Sequence, residues 1–307
     1  MQTKEPSHPC VTVRELLKSG NPLLSVEFFP PKNKAAEKQM LATAASLKEN
    51  FQPDFVSITY GAGGSTRDRT LQFARLLKEE YSFHVMPHLT CVGSSLKELE
   101  EIVQTLSSSG FRNIMALRGD PPKGESKFVP APDGLSYGNE LVSFLQDKFS
   151  EIDIGVAGYP EKHPEAATLD EDIEYLRQKV EAGATFVTTQ LFYDNSLFFD
   201  FVQRCRQVGI EVPIFAGIMP VRSWEQTQRF CAMCGASIPS KLGERLGGAK
   251  DETEVLEIGI DWAYRQMAEL LAENVPGIHL YALNQSSSAN AIYHRLQQGG
   301  CFKHRNL

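Results

Sequence analysis

The chain has 307 residues, 42% of them hydrophobic, and 31 Lys and Arg against 38 Asp and Glu leave a net charge of -7. That is core enough for one large domain or two small ones, and the acidic balance argues against a broad nucleic-acid surface while leaving room for a local basic pocket and a small ligand. No apolar run approaches the roughly 20 residues of a membrane helix, and the opening MQTKEPSHPC lacks the apolar centre of a signal peptide, so a soluble cytoplasmic protein is expected.

In chain order, apolar runs of strand length alternate with amphipathic segments of helix length. The predicted strands are 23–29, 54–61, 83–90, 113–120, 152–160, 185–193, 212–220 and 278–284. The predicted helices are 34–50, 66–80, 95–109, 138–149, 169–182, 196–208, 223–235 and 254–274, with Ser65 and Asp68 opening the second, Gly110 closing the third and Gly183 following the fifth. Eight alternating units favour a closed (β/α)8 barrel, an α/β fold of TIM type, over an open doubly wound sheet. The turn-rich stretch 121–138 reads as a surface loop, and the irregular patch SIPSKLGERLGGAKDETE reads as an extra short helix before the last strand. No composition break marks a linker, so 1–307 is expected to be one barrel domain with 1–20 as a peripheral segment.

One acid interrupts the first strand. Glu27 in LLSVEFFPPK is a poor strand residue and costly to bury charged. Alternate strand residues of a barrel point inward, and parity groups Ser25 with Glu27, Ser57 with Thr59, Met86 with His88 and Thr90, Ala116 with Arg118 and Asp120, and Thr188 with Gln190. Each series ends at the C-terminal end of its strand, the face where barrel active sites are built. The serines and Thr188 read as interior filling. The convergence of Glu27, His88, Arg118, Asp120 and Gln190 calls for a ligand or for mutual pairing, with Arg118 against an acid as the alternative.

Other motifs carry less. Cys231 and Cys234 form a CxxC within a helical stretch, read as two buried thiols one turn apart rather than zinc or redox chemistry. His84 and His88 lie on a strand, where four residues span about 13 Å, too far for one metal ion. GAGGST at 61–66 is either a phosphate-holding loop or a tight turn into a helix.

Together SVEFFPPK, SITYGAGGSTRDRT, PHLTC, ALRGDPP, AGYPEKHPEA, KVEAGATFVTTQLFY, GIMP and YALN resemble, in that order, the segments of the 5,10-methylenetetrahydrofolate reductase family. The resemblance runs from about Pro22 to the last helix. It implies reduction of 5,10-methylenetetrahydrofolate to 5-methyltetrahydrofolate in one-carbon metabolism and methionine biosynthesis, with NADH or NADPH reducing a noncovalent FAD in a ping-pong cycle. It also implies the bacterial, catalytic-barrel form and a homo-oligomer, while charge and the lack of a long apolar run speak for no nucleic-acid or membrane partner. A flavin barrel of proline dehydrogenase type, or a flavin- or folate-binding subunit that needs a partner, are the rival readings.

Carried over residue by residue, the resemblance makes Glu27 the general acid that protonates nitrogen 10 of the folate, and Asp120 the carboxylate that holds the pterin. It assigns flavin contacts to Thr59, Tyr60, Ala62, His88, Arg118, Gly119, Asp120 and Gly138, and further along to Tyr159, His163, Ala166, Asp172 and Lys179. Among these, Arg118, His163 and Lys179 suit the pyrophosphate or ribityl chain, and Tyr159 a flat apolar wall. Gln190 matches the side chain that meets both ring ligands, and Gln226 a contact to the folate glutamate tail. At Gln285 the family members in question carry arginine, so a charge-assisted pair to that tail is lost unless Arg222 or Arg229 supplies it. Tyr175 and Gln178 likewise replace an asparagine and an arginine of some bacterial members.

Overall fold

Eight parallel strands close on themselves in sequence order: β1 (Leu23–Phe28), β2 (Phe55–Ile58), β3 (Val85–Thr90), β4 (Asn113–Leu117), β5 (Asp153–Gly158), β6 (Phe186–Thr189), β7 (Ile214–Ile218) and β8 (Gly277–Leu280). The structure, a computed structural model, describes residues 10–60, 67–120 and 129–301. Ala62, the 61–66 glycine-rich run and positions 121–128 of the expected loop lie outside the described residues. The helices are α1 (Val13–Leu17), α2 (Lys34–Asn50), α3 (Arg67–Tyr81), α4 (Leu96–Ser108), α5 (Gly138–Lys148), α6 (Leu169–Glu181), α7 (Asn195–Gln207), α8 (Trp224–Cys234), α9 (Ser240–Gly247), α10 (Glu252–Ala272) and α11 (Ser286–Gln298). Among the described residues no helix is long and apolar enough to cross a membrane.

The (β/α)8 barrel is as expected, and so is the extra helix before the last strand, α9. The strands are shorter than the apolar runs: most runs extend two to four residues past the C-terminal end of their strand. Helix α11 follows β8 and was not anticipated. Its buried Ala289, Ile292, Tyr293 and Leu296 keep helical spacing, but the Ser286–Ser288 start has weak helix propensity and masks it.

Strand pairing corrects one parity. His88 lies opposite Met115 in the β3/β4 register, and Met115 opposite Gly155, so Asn113, Met115 and Leu117 face inward and Ala116 faces the helices. In NIMAL every residue but the first is apolar, and alternation has nothing to read until Arg118, which lies past the strand end. The remaining series hold: Glu27 is level with Ser57, Ser25 with His279, and Ala157 with Thr188.

The barrel interior divides along its axis. At the N-terminal end Leu23, Phe55, Met86, Met115, Phe186 and Phe215 pack with Val13 of α1 into one apolar cluster. Above it the interior turns polar, with Ser25, Ser57, Thr188 and His279 all buried. Gly217 sits at this level because a Cβ there would lie 2.1 Å from Thr189 O and 2.9 Å from the Tyr281 ring. The outer layer is the main core, where strand residues of the opposite parity meet the helices.

The segment before β1 closes the bottom of the barrel. α1 opens with a Thr12/Glu15 capping box, and Asn113 at the start of β4 accepts from Val13 N at 2.8 Å and donates to Val11 O at 2.9 Å. Asp153, fully buried, accepts from Arg14 N at 2.7 Å and pairs with the Arg14 guanidinium. Asn113→Ala leaves a buried amide of this segment unmet and is expected to cost about 2 kcal/mol, seen as a lower midpoint in urea unfolding with an unchanged slope.

Candidate active site

A cleft of about 570 Å³ opens beside the C-terminal ends of β3 to β6. Of the residues singled out in the sequence, Tyr60, Thr90, Ala116, Arg118, Gly119, Asp120, Gly138, Tyr159, His163, Ala166, Asp172, Tyr175, Gln178, Lys179 and Gln190 line it. Glu27, His88 and Thr59 are not in its lining: the first two lie inside the barrel, and Thr59 is held at the β2 end by Phe28 O, 2.9 Å from its N–H, and through its own carbonyl by the Thr70 hydroxyl at 3.0 Å. Gln226, on the first turn of α8, and Gln285, the residue before α11, are half-buried and also outside the lining.

The backbone around Arg118 explains its reach. β4 ends at Leu117, and Gly119 takes φ +90°, where a Cβ would meet Val92 Cγ1 at 2.6 Å. The chain therefore turns out of the sheet and points Arg118 over the cleft. Its guanidinium forms a two-pronged pair with Glu165, at 2.6 and 2.7 Å. This is the acid pairing that sequence reasoning held as the alternative for Arg118. The two bonds hold the Glu165 carboxyl below the usual carboxylate range. Asp120 is exposed at the rim.

The YPEKHPEA loop supplies the opposite wall. Lys162, at φ 68°, turns it and donates to Ala166 O at 2.8 Å. The His163 amide donates to Asp172 at 2.9 Å, and Glu165 N donates to His163 Nδ1 at 3.1 Å, which leaves Nε2 as the N–H of the neutral ring. Burial lowers the His163 pKa. Tyr159 stands edge-on to His163, centroids 4.8 Å apart, and burial pushes its phenol well up.

From α6 comes Lys179, one face removed from the exposed side of the helix. Its ammonium donates to Ala157 O at 3.2 Å, and desolvation lowers its pKa against the opposing pull of Asp172. Asp172 is itself buried and its pKa raised by desolvation, opposed by the His163 amide and Lys179. Tyr175 is exposed and bonded to Glu171, and Gln178 reaches Glu174, so neither takes a partner inside the cleft. Gln190 turns its Oε1 back to Leu191 N at 2.9 Å.

Inside the barrel, Glu27 is 7% exposed and stands between two imidazoles: His88 Nε2 at 3.5 Å and His279 Nε2 at 3.7 Å. Desolvation lowers the His88 pKa to about 4, with Glu27 opposing, so the ring is neutral at pH 7. His279 was missed from the sequence, although it sits in IHLYALN at the inward parity and is the one ring nitrogen donor in that run. A polar residue with alternating apolar neighbours was the available signal. The Asn284 side chain fixes the β1 end above Glu27, accepting from Phe29 N at 2.9 Å and donating to Phe29 O at 2.8 Å.

Three buried polar atoms in or beside this space have no hydrogen-bond partner among the described residues: His88 Nε2, Thr90 Oγ1 and Thr188 Oγ1. Buried groups of this kind are ordinarily satisfied, and here they face the barrel mouth, where a bound ligand can meet them. Two basic side chains, a histidine and an aromatic wall in one elongated cleft suit a ligand with phosphate groups and flat rings. CxxC is not part of it: Cys231 is buried and its thiol pushed up to about 12 by desolvation.

The methylenetetrahydrofolate reductase family model matches residues 12–297. Methylenetetrahydrofolate reductase (NADH) 1 of Arabidopsis thaliana is 37% identical over 291 residues, covering 91% of this chain and 49% of its own, so the chain spans about half the length of that relative and of its maize and rice counterparts. The 5,10-methylenetetrahydrofolate reductase of Escherichia coli is 36% identical over 274 residues, 89% of this chain and 90% of that one. In fold, the chain is similar to an uncharacterized Clostridium thermocellum protein that binds two copies of 5-methyl-5,6,7,8-tetrahydrofolic acid, with a TM-score of 0.66 at 16% identity over 93% of this chain and 98% of that one. With the family model running from α1 to α11 and a bacterial relative aligned over nine-tenths of its length, this chain belongs to the methylenetetrahydrofolate reductase family.

Proposed function

We propose that the chain reduces 5,10-methylenetetrahydrofolate to 5-methyltetrahydrofolate with a nicotinamide cofactor and a noncovalent FAD. The observation that carries this reading is a buried carboxyl, Glu27, set among imidazoles at the C-terminal face of a barrel and next to a cleft with basic and aromatic walls. Family membership supports it, as does the folate ligand of the similarly folded Clostridium thermocellum protein. NADH in the name of the Arabidopsis relative supports NADH as the reductant.

When bound, the flavin supplies the hydride that passes from nicotinamide to folate. Arg118, Lys179 and His163 hold its phosphates and ribityl chain, with Tyr159 as the flat wall and Gly138 leaving space at the α5 N-terminus, where an added Cβ would meet nothing nearer than 3.7 Å. A phosphate taking the Arg118 fork does so in place of Glu165, whose side chain is 58% exposed and free to turn to solvent. Glu27 protonates nitrogen 10 as the five-membered ring opens, Asp120 holds the pterin, and Gln190 meets whichever ring occupies the site. In this reading Thr59 serves near the nicotinamide, and Gln226 and Gln285 serve the glutamate tail. Two carboxyls in unlike settings, one buried and one exposed, are how a site supplies both an acid and a stabilising anion.

The purified protein is expected to carry or take up FAD, to bleach with NADH under anaerobic conditions and to recolour on addition of methylenetetrahydrofolate. A preparation that cannot take up FAD overturns the reading. Glu27→Gln is expected to leave NADH oxidation by an artificial acceptor within about twofold while folate reduction falls by roughly 100-fold or more; an equal fall in both would make Glu27 structural. Lys179→Met is expected to weaken FAD binding by roughly 10- to 100-fold in a fluorescence titration, the loss of one charge-assisted contact.

A further inference from the structure

Arg222 is a charge that the reading above leaves unused. It lies in the short link between β7 and α8, past the C-terminal end of the strand and outside the lining of the cleft. Both neighbours of Arg222 are held. Val221, 1% exposed, packs with Leu242 and Ile258, and α10 comes so close that a Cβ at Gly259 would lie 1.9 Å from Val221 O. On the other side Ser223 caps α8, its hydroxyl accepting from Gln226 N at 3.4 Å.

The Arg222 side chain is half-buried, and its buried Nε has no hydrogen-bond partner among the described residues. The other half-buried arginines among those residues all have acceptors, as Arg206 has Ile210 O and Arg245 has Asp261. Desolvation alone acts on the Arg222 pKa, lowering it, whereas the bonds to Glu165 raise that of Arg118. A guanidinium does not shed its proton in a protein, so a desolvated one without an acceptor carries an uncompensated cost. A ligand anion would offset it, and Arg is the side chain best shaped to take a carboxylate or a phosphate.

Position selects between those anions. Dinucleotide phosphates have Arg118 and Lys179 in the cleft beside β3 to β6. The folate of the proposed reaction carries full negative charge only on its glutamate carboxylates, and nitrogen 10, the atom assigned to Glu27, is the one that bears the benzoyl-glutamate tail. That tail therefore starts near β1. In the closed order β7 and β1 flank β8, so the two lie about 10 Å apart at the usual strand spacing, and Tyr281 N joins the β8 exit to β7 through Ile218 O at 2.9 Å. A benzoyl-glutamate can bridge such a gap. Arg229 is exposed on the body of α8, and Gln285 is neutral.

We infer that Arg222 is the anion anchor of the substrate site, taking a carboxylate of the folate glutamate tail and so supplying the charge that Gln285 lacks. The inference rests on the folate reading of the site.

The test titrates two ligands calorimetrically into protein supplemented with FAD: tetrahydrofolate, which has no one-carbon unit to turn over, and its glutamate diamide, of equal length and uncharged. The wild type is expected to prefer the charged ligand by roughly 10- to 100-fold, and Arg222→Met to bind the two within about threefold of each other by losing affinity for tetrahydrofolate alone. A merely structural arginine would lower both affinities together, and that result overturns the inference. So do a wild type that does not discriminate between the ligands, an Arg222→Met that keeps wild-type affinity for tetrahydrofolate, and a loss that appears in Arg229→Met instead. A loss confined to NADH binding assigns Arg222 to a dinucleotide phosphate and overturns it as well. Should Arg222→Met fail to fold, Arg222→Gln, which keeps a polar stem without the charge, is read in the same way. If the wild type binds tetrahydrofolate through Arg222 but reduces no methylenetetrahydrofolate, the proposed function fails and the anchor stands; if it reduces the folate and the Arg222 variants bind as the wild type does, the anchor alone fails.

Discussion

Closure of β8 onto β1 is the constraint on which the site depends. Four residue pairs from Leu23 opposite Gly277 to Val26 opposite Leu280 join the last strand to the first, and the joint sets Ser25 level with His279. Beyond the last pair the strands separate, and the Asn284 amide continues the seam by exchanging two hydrogen bonds with the Phe29 backbone. Leu283 and Asn284 both take positive φ, 52° and 56°, to bring that amide into place. Two consecutive non-glycine residues in the left-handed region cost backbone energy, offset here by a side chain that serves as the next rung of the sheet. The Thr43 hydroxyl anchors the same turn from α2 through Asn284 O at 2.8 Å.

The seam divides the polar interior into two environments. On the β1, β2 and β8 side, the buried Glu27, Ser57 and His279 meet Tyr281 in a cluster in which each ring is held by packing as well as by hydrogen bonds. Across the mouth, along β4 to β6, the cleft is lined by ions balanced against each other: Arg118 with Glu165, and Lys179 near Asp172. The Arg118–Glu165 pair is partly open to water, where charges are screened and weakly coupled, whereas Asp172 is buried.

The lower half of the barrel holds these environments apart from solvent. Phenylalanines and methionines from five strands, with Leu23 of a sixth, meet Val13 of α1 under the polar layer, and the buried Asn113 and Asp153 tie the start of that helix to β4 and β5. Ordering this plug removes water from beneath Ser25 and His279, and low local polarity strengthens each hydrogen bond above it. A second apolar cluster, built by α8, α9 and α10 around Val221, Leu242 and Ile258, packs the outside of the β7 and β8 ends and reaches Tyr281.

Much of this was legible in the residues. The eight-unit alternation, the extra helix α9, the inward parity of Glu27 and His88, and the grouping of Arg118, His163, Asp172 and Lys179 about one cleft all follow from local pattern or from the resemblance of whole motifs. What those readings could not reach depends on pairing between distant segments. The parity of β4 is set by the register of Met115 against His88, since an unbroken apolar run carries no alternation of its own. Glu165 as the partner of Arg118 lies 47 residues away in sequence, and His279 meets Ser25 across 254. The sequence by itself determined the strand order, the barrel and the inward parity of the acid Glu27, because period and residue type are local properties. Only the closed tertiary structure decided which groups surround that acid, because closing the barrel brings the first and last strands, farthest apart along the chain, into hydrogen-bonding contact.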